Sequence, residues 1–176
     1  MNFFNEVYIF ITETSKYESF LSDLIVGILL VFIFFLYREF FSPPLNISGK
    51  WYIRTKTNET AYNPYKNMVL EYVVIVLQNG QNIEGTTEKV YEKSITKGEK
   101  EYIGKDRIQG TFKGYIEKNY LRKDKIKIHV SEKGENREST IYYELNKSCG
   151  DILKGFFDST AGDSGGTTIW QRTPFH

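Results

Sequence analysis

Cysteine is nearly absent: Cys149 is the only one in 176 residues. A single thiol cannot close an internal disulfide, which fits a reducing compartment. No adjacent basic or histidine residue marks it as an activated thiol, and it reads as a strand-edge or loop cysteine. Histidine is almost as scarce. His129 and His176 stand far apart, and with one cysteine they provide no ligand cluster for a metal. No glycine-rich loop leads into a lysine and a helix, so no phosphate-cradling motif is present. An excess of one charge is also missing, with 23 Lys/Arg against 22 Asp/Glu and a net charge of +1. That balance excludes the strongly basic face needed to hold duplex DNA. No catalytic residue, metal site or cofactor is expected, and the chain reads as a binding protein, not an enzyme.

One string argues the other way. "AGDSGG", Ala161–Gly166, spells the surroundings of the nucleophilic serine in trypsin-like proteases. His129 and Asp158 precede Ser164, so the triad order is formally present. Only ten residues follow Gly166, too few to build a specificity pocket, and Asp158 lies on the segment leading straight into the loop. Glycines that allow positive φ, with Asp and Ser making local hydrogen bonds, are also what a tight turn requires. The string is expected to be a hairpin.

What the sequence does contain is unevenly spread. Residues 1–41 hold two Lys/Arg and five Asp/Glu, leaving 21 and 17 in the remainder. Within that acidic start, "LIVGILLVFIFFLY", Leu24–Tyr37, is free of charge and of polar positions at helical spacing. With the residues from Ser19 it reaches about the 20 that a helix needs to cross a bilayer. Tyr37, Phe40 and Phe41 suit the interface. No Lys or Arg precedes Lys16 and no small-residue cleavage site follows, so a cleaved signal peptide is not expected. Glu6, Glu13 and Glu18 precede the span, while Arg38, Lys50, Arg54 and Lys56 follow it, which predicts a cytoplasmic C-terminal domain. Phe3–Thr12 is shorter and more polar. It fits an interfacial helix, a short or tilted first crossing, or a disordered start.

These signals divide the chain into a membrane region (1–41), a stiff proline-containing linker (42–48) and a β domain (47–176). Alternating apolar and polar residues predict eight strands: Ile47–Thr57, Met68–Gln78, Asn82–Tyr91, Arg107–Glu117, Lys125–Val130, Thr140–Leu145, Leu153–Ser159 and Thr167–Arg172. Asn79-Gly80, Lys133-Gly134 and Gly162–Gly166 supply the turns. No helix is evident after Phe41. The expected fold is all-β, an eight-stranded up-and-down antiparallel barrel of lipocalin-like form behind an N-terminal transmembrane helix. Glycines at 85, 110, 114 and 155 suit strands bent around a small, narrow interior. Met68–Gln78 is apolar on both faces, so its outer face needs cover from the Thr57–Lys66 loop or from a neighbouring subunit. Trp51 and Arg172 match the pair that closes lipocalin-like barrels, where an early-strand Trp stacks on an Arg from the last strand. Ligand contact is the other reading of Arg172.

The layout resembles a known family. Membrane segments lead into a small β-barrel with "ISGKW" (47–51) in its first strand, "VLQNGQNIEG" (76–85) at the second hairpin, and "LKGFFDST" (153–160) with "GGTTIWQR" (165–172) at its end. These features are similar to the two-transmembrane, β-strand-rich effectors of bacterial CBASS antiphage systems, CD-NTase-associated protein 15. That family has two spans, whereas here one run is continuous. The resemblance implies a cyclic dinucleotide or related cyclic oligonucleotide, made by a partner synthase, as ligand. It also implies assembly of the membrane segments into a homo-oligomer and disruption of the cell inner membrane. By residue type and strand position, the contact candidates are Arg54, Arg107 and Arg172 for phosphates, and Tyr72, Tyr91 and Tyr143 for bases. A membrane-tethered barrel for an apolar ligand, or a structural protein-interaction module, are the competing expectations.

Overall fold

In the computed structural model, residues 3–41, 45–96, 98–134, 138–148 and 150–175 are described. The chain divides into two compact units, Met1–Pro43 and Pro44–His176. Cys149 and the Ser42–Pro44 part of the predicted linker lie outside the described residues.

The first unit is one helix, α1, Phe3–Phe40. Phe3–Thr12 is therefore not a separate helix. No proline or glycine interrupts "TETSKYES", so nothing in that stretch ends the helix between it and the apolar run. Within α1, Tyr17–Phe40 (24 residues) is long and apolar enough to cross a membrane. At 1.5 Å per residue, it covers the roughly 30 Å of a hydrocarbon core.

The second unit is an antiparallel sheet of nine strands: β1 Gly49–Thr60, β2 Val69–Asn79, β3 Asn82–Ser94, β4 Gly98–Glu101, β5 Gln109–Glu117, β6 Lys125–Lys133, β7 Glu138–Lys147, β8 Ile152–Ser159 and β9 Ser164–Gln171. Eight of them close into an up-and-down barrel. Each pairs with its sequence neighbours, and β9 pairs back onto β1. Closure leaves no barrel edge unpaired. β4 is the ninth strand and stands outside the ring. It pairs only with the last residues of β3, Tyr91–Ser94. Its sequence, GEKE, carries no apolar alternation and so gave no strand signal.

The barrel is filled at one end and hollow at the other. At the filled end Ile47, Trp51, Val76, Ile83, Ile116, Ile126, Leu145, Leu153 and Trp170 are all buried. Inward glycines make this packing possible. A Cβ on Gly155 would sit 1.8 Å from the Glu144 carbonyl, and one on Gly85 would enter the Phe112 ring. This end is sealed from outside by Arg172. Its guanidinium lies 3.9 Å from the centre of the Trp51 ring and donates to the carbonyls of Lys50 (3.0 Å) and Ser48 (2.9 Å). The outer face of β2 stays bare here. Ile75 and Leu77 are exposed, because the loop after β1 folds over the other end of the barrel.

Candidate functional site

The hollow end holds a cavity of about 710 Å³, within the usual range for small-molecule sites. Tyr143 and Phe157 form part of its lining near the filled core, with Tyr143 edge-on to buried Trp170 at 5.6 Å. Thr55 and Thr57 of β1, Leu70 and Tyr72 of β2, and Ile141 of β7 line its sides. The rim carries Tyr62, Pro64 and Tyr65 from the short 3₁₀ turn after β1, and Ala161 and Ser164 from the hairpin before β9.

Charged groups cross this cavity wall in one chain. The Tyr72 hydroxyl donates to Glu132 Oε2 at 3.2 Å. Lys89 Nζ lies 3.3 Å from Glu132 Oε1 and 3.6 Å from Glu92 Oε2. The Tyr102 hydroxyl donates to Glu92 Oε2 at 3.0 Å. Lys100 Nζ sits 4.6 Å from the centre of the Tyr102 ring. The side chains of Glu132 and Lys89 keep only 7% and 12% of their exposure. Buried charges persist when they are paired; Lys89 lies between the two carboxylates, and each carboxylate also accepts from a tyrosine hydroxyl. Two lysines and two carboxylates leave the wall close to neutral. Burial pushes the Tyr72 phenol well above its ordinary pKa, with the Glu132 carboxylate adding to the shift, so Tyr72 is a neutral donor. Burial raises Tyr143 as well.

A β-bulge makes this constellation. On β2, Glu71 faces Tyr91 but the next residue, Tyr72, faces Lys89, so Val90 is the extra residue on β3. Ile83, Thr87 and Lys89 point inward by simple alternation, which would carry Tyr91 inward next. The extra residue reverses the alternation, turning Glu92 and Ser94 inward and Tyr91 outward.

Of the six sequence candidates, Tyr72 and Tyr143 line the cavity. The other four are not brought to it. Arg54 lies on the outer face, bonded through Nε to Glu71 Oε1 at 2.8 Å and stacked over Phe175. Arg107 pairs with Glu88 at 2.9 Å, also outside. Tyr91 is on the outer side of the bulge, and Arg172 seals the opposite end. The residues missed were Lys89, Glu92, Lys100, Tyr102 and Glu132. For Glu132 a signal existed: the Ile126, Ile128, Val130 alternation continues onto it, but the predicted strand stopped at Val130. The hairpin at Ala161–Gly166 is a turn, as expected. Asp163 has φ +46°, and the Ser164 hydroxyl donates to the Ala161 carbonyl at 2.8 Å. His129 is exposed on β6, its ring tilted against Tyr142 at 4.9 Å, while Ser164 faces the cavity, so the two do not meet.

The geometry defines a class: among the described residues, an eight-stranded barrel with one sealed end, a polar cavity at the other and an apolar helix preceding it in sequence. No protein-family model and no curated protein matches the chain.

Proposed function

We propose that this chain is a membrane-anchored receptor whose barrel binds a cyclic nucleotide at its open end. In this reading α1 holds it in the cell inner membrane with the barrel in the cytoplasm. Binding of a cyclic dinucleotide, or a related cyclic oligonucleotide from a partner synthase, drives oligomerisation of the membrane segments. The assembly disrupts the membrane and kills the phage-infected cell. The observation that carries the ligand reading is the Tyr72–Glu132–Lys89–Glu92–Tyr102 chain lining a cavity of about 710 Å³. Carboxylates accept from the amino and ring N–H donors of a base. Tyrosine faces offer stacking. Lys100 at the rim offers a cation to a phosphate, and the Thr55 and Thr57 hydroxyls offer partners to a sugar. An apolar ligand would cover these charged groups without compensating them, which weighs against a lipocalin-type carrier. The effector role rests on the resemblance in layout and motifs, and the orientation on the charges flanking the span.

Titrating the full chain in detergent with a panel of cyclic dinucleotides and oligonucleotides tests the reading by thermal shift. At least one ligand should stabilise it, by about 2.7 kcal/mol at 100 times its Kd. Glu132→Gln and Lys100→Ala should each raise that Kd roughly tenfold or more, the scale of a lost charge-assisted hydrogen bond. Arg54→Ala and Arg107→Ala should leave it unchanged. A flat response to the whole panel would overturn the proposal.

A further inference from the structure

We infer that the sealed rim of the barrel is a contact surface for an anionic lipid bilayer, with the β5–β6 loop as its tip. The inference rests on reading α1 as a membrane span, and is independent of what fills the cavity. The loop, Lys118–Asp124, reads KNYLRKD. Leu121 is 91% exposed, the highest of the large exposed hydrophobic side chains. Tyr120 precedes it, Lys118 flanks one side, and Arg122 and Lys123 flank the other. The loop is a folded turn and not a loose arc, because the Asn119 N–H donates to Asp124 Oδ1 at 3.1 Å. Lys123 Nζ donates to the Lys147 carbonyl at 3.4 Å, which brings the end of β7 and a further lysine to the same rim.

Leu77 adds a second apolar side chain there. It is 61% exposed and lies two residues before the Asn79-Gly80 turn. The Ile116 N–H donates to the Gln81 carbonyl at 2.8 Å, so that turn sits beside the end of β5, where the loop begins. Among the rim carboxylates, Asp124 closes the loop and Glu117 is paired with Lys127 at 2.6 Å. Glu144 is paired with Lys125 at 2.6 Å, and Asp151 and Glu84, which stands opposite Leu77, are exposed carboxylates on the same side. Isolated exposed leucines are ordinary on protein surfaces. Here the leucine is a loop tip set among cations, the composition that suits a bilayer interface. The apolar side chain enters the acyl boundary while Lys and Arg meet lipid phosphates.

Chain connectivity selects a bilayer as the occupant. β1 begins on this rim, so the polypeptide arriving from α1 reaches the barrel here. In the sequence, only residues 41–46 separate α1 from buried Ile47.

The test uses the full chain with Cys149→Ser and Leu121→Cys, the new thiol carrying an environment-sensitive fluorophore. A companion protein carries the label at Asp163→Cys, on the hollow end. Both are reconstituted in phosphatidylcholine vesicles with and without phosphatidylglycerol. The 121 label should shift to the blue in phosphatidylglycerol vesicles and be quenched by headgroup-region spin-labelled lipid, while the 163 label stays water-like. High salt, or the pair Arg122→Glu and Lys123→Glu, should abolish the shift. A 121 label as water-like as the 163 label, in vesicles that retain the chain, overturns the inference alone. So does a blue shift that ignores lipid charge but grows with protein density, which marks a protein contact. Release of the whole chain by alkaline carbonate would remove the span reading, and the inference with it.

Discussion

Arg172 and Arg107 are both half-buried arginines, and their partners give them different weights. Arg172 stacks on Trp51 and donates to two main-chain carbonyls that lead into β1. Arg107 shares its charge with Glu88, and both side chains are more than a third exposed. Arg172→Ala should therefore cost about 2 kcal/mol in urea unfolding. Arg107→Ala should cost under about 1 kcal/mol, as exposed ion pairs do. Equal midpoints for the two variants would show that the Trp51 stack does not close the barrel. Tyr72 makes a different residue-scale prediction. Its phenol is held neutral by burial in the folded state, above its ordinary pKa, whereas the unfolded phenol ionises near about 10. The associated stability is complete below that pH and is lost as pH rises above it. Unfolding midpoints measured from neutral pH into the alkaline range should fall for the wild type. They should fall less steeply for Tyr72→Phe, despite its lower starting stability from the lost Glu132 bond. Parallel slopes would contradict the buried-phenol account.

At the level of elements, strand spacing is set by residues without side chains. Gly155 on β8 pairs with Leu145 on β7, and any Cβ there meets the neighbouring backbone and not a flexible side-chain end. Gly155→Ala should destabilise the barrel by roughly 1–3 kcal/mol, the range for overpacking. Gly27→Ala in α1, where nothing lies within 4 Å of a Cβ, should leave the barrel's unfolding midpoint by circular dichroism unchanged. A silent Gly155→Ala would mean that β7 and β8 separate freely. The elements also show where local reading works. Alternation in β5, β6 and β7 was plain because the inward face is apolar toward the filled end: Phe112 and Ile116, Ile126 to Val130, Ile141 to Leu145. It failed in β3, where one extra residue, Val90, reverses the faces. No residue type in KVYEK announces a bulge, because the bulge is defined by the partner strand.

Across the whole molecule, the two ends of the barrel divide stability from binding. The filled end concentrates the large fully buried side chains, while the hollow end keeps titratable groups and tyrosines around its space. Regions that hold ligands are drawn from the less densely packed part of a fold, and this division follows that pattern. The sequence by itself determined the apolar run that makes Tyr17–Phe40 a candidate span, the number of barrel strands and their antiparallel order. Each of these is written in neighbouring residues, as unbroken hydropathy, period-two alternation or turn chemistry. For Arg172 the sequence left closure and ligand contact both open, and the structure decided for closure. Only the tertiary structure decided which end is hollow, that α1 runs without a break to Phe3, and that Lys89, Glu92 and Glu132 meet. Those three side chains come from β3 and β6, which do not pair with each other. Both strands pair with β5, so the three side chains meet over that strand once the bulge has turned Glu92 inward, and neither the pairing nor the bulge leaves a periodic trace in the chain.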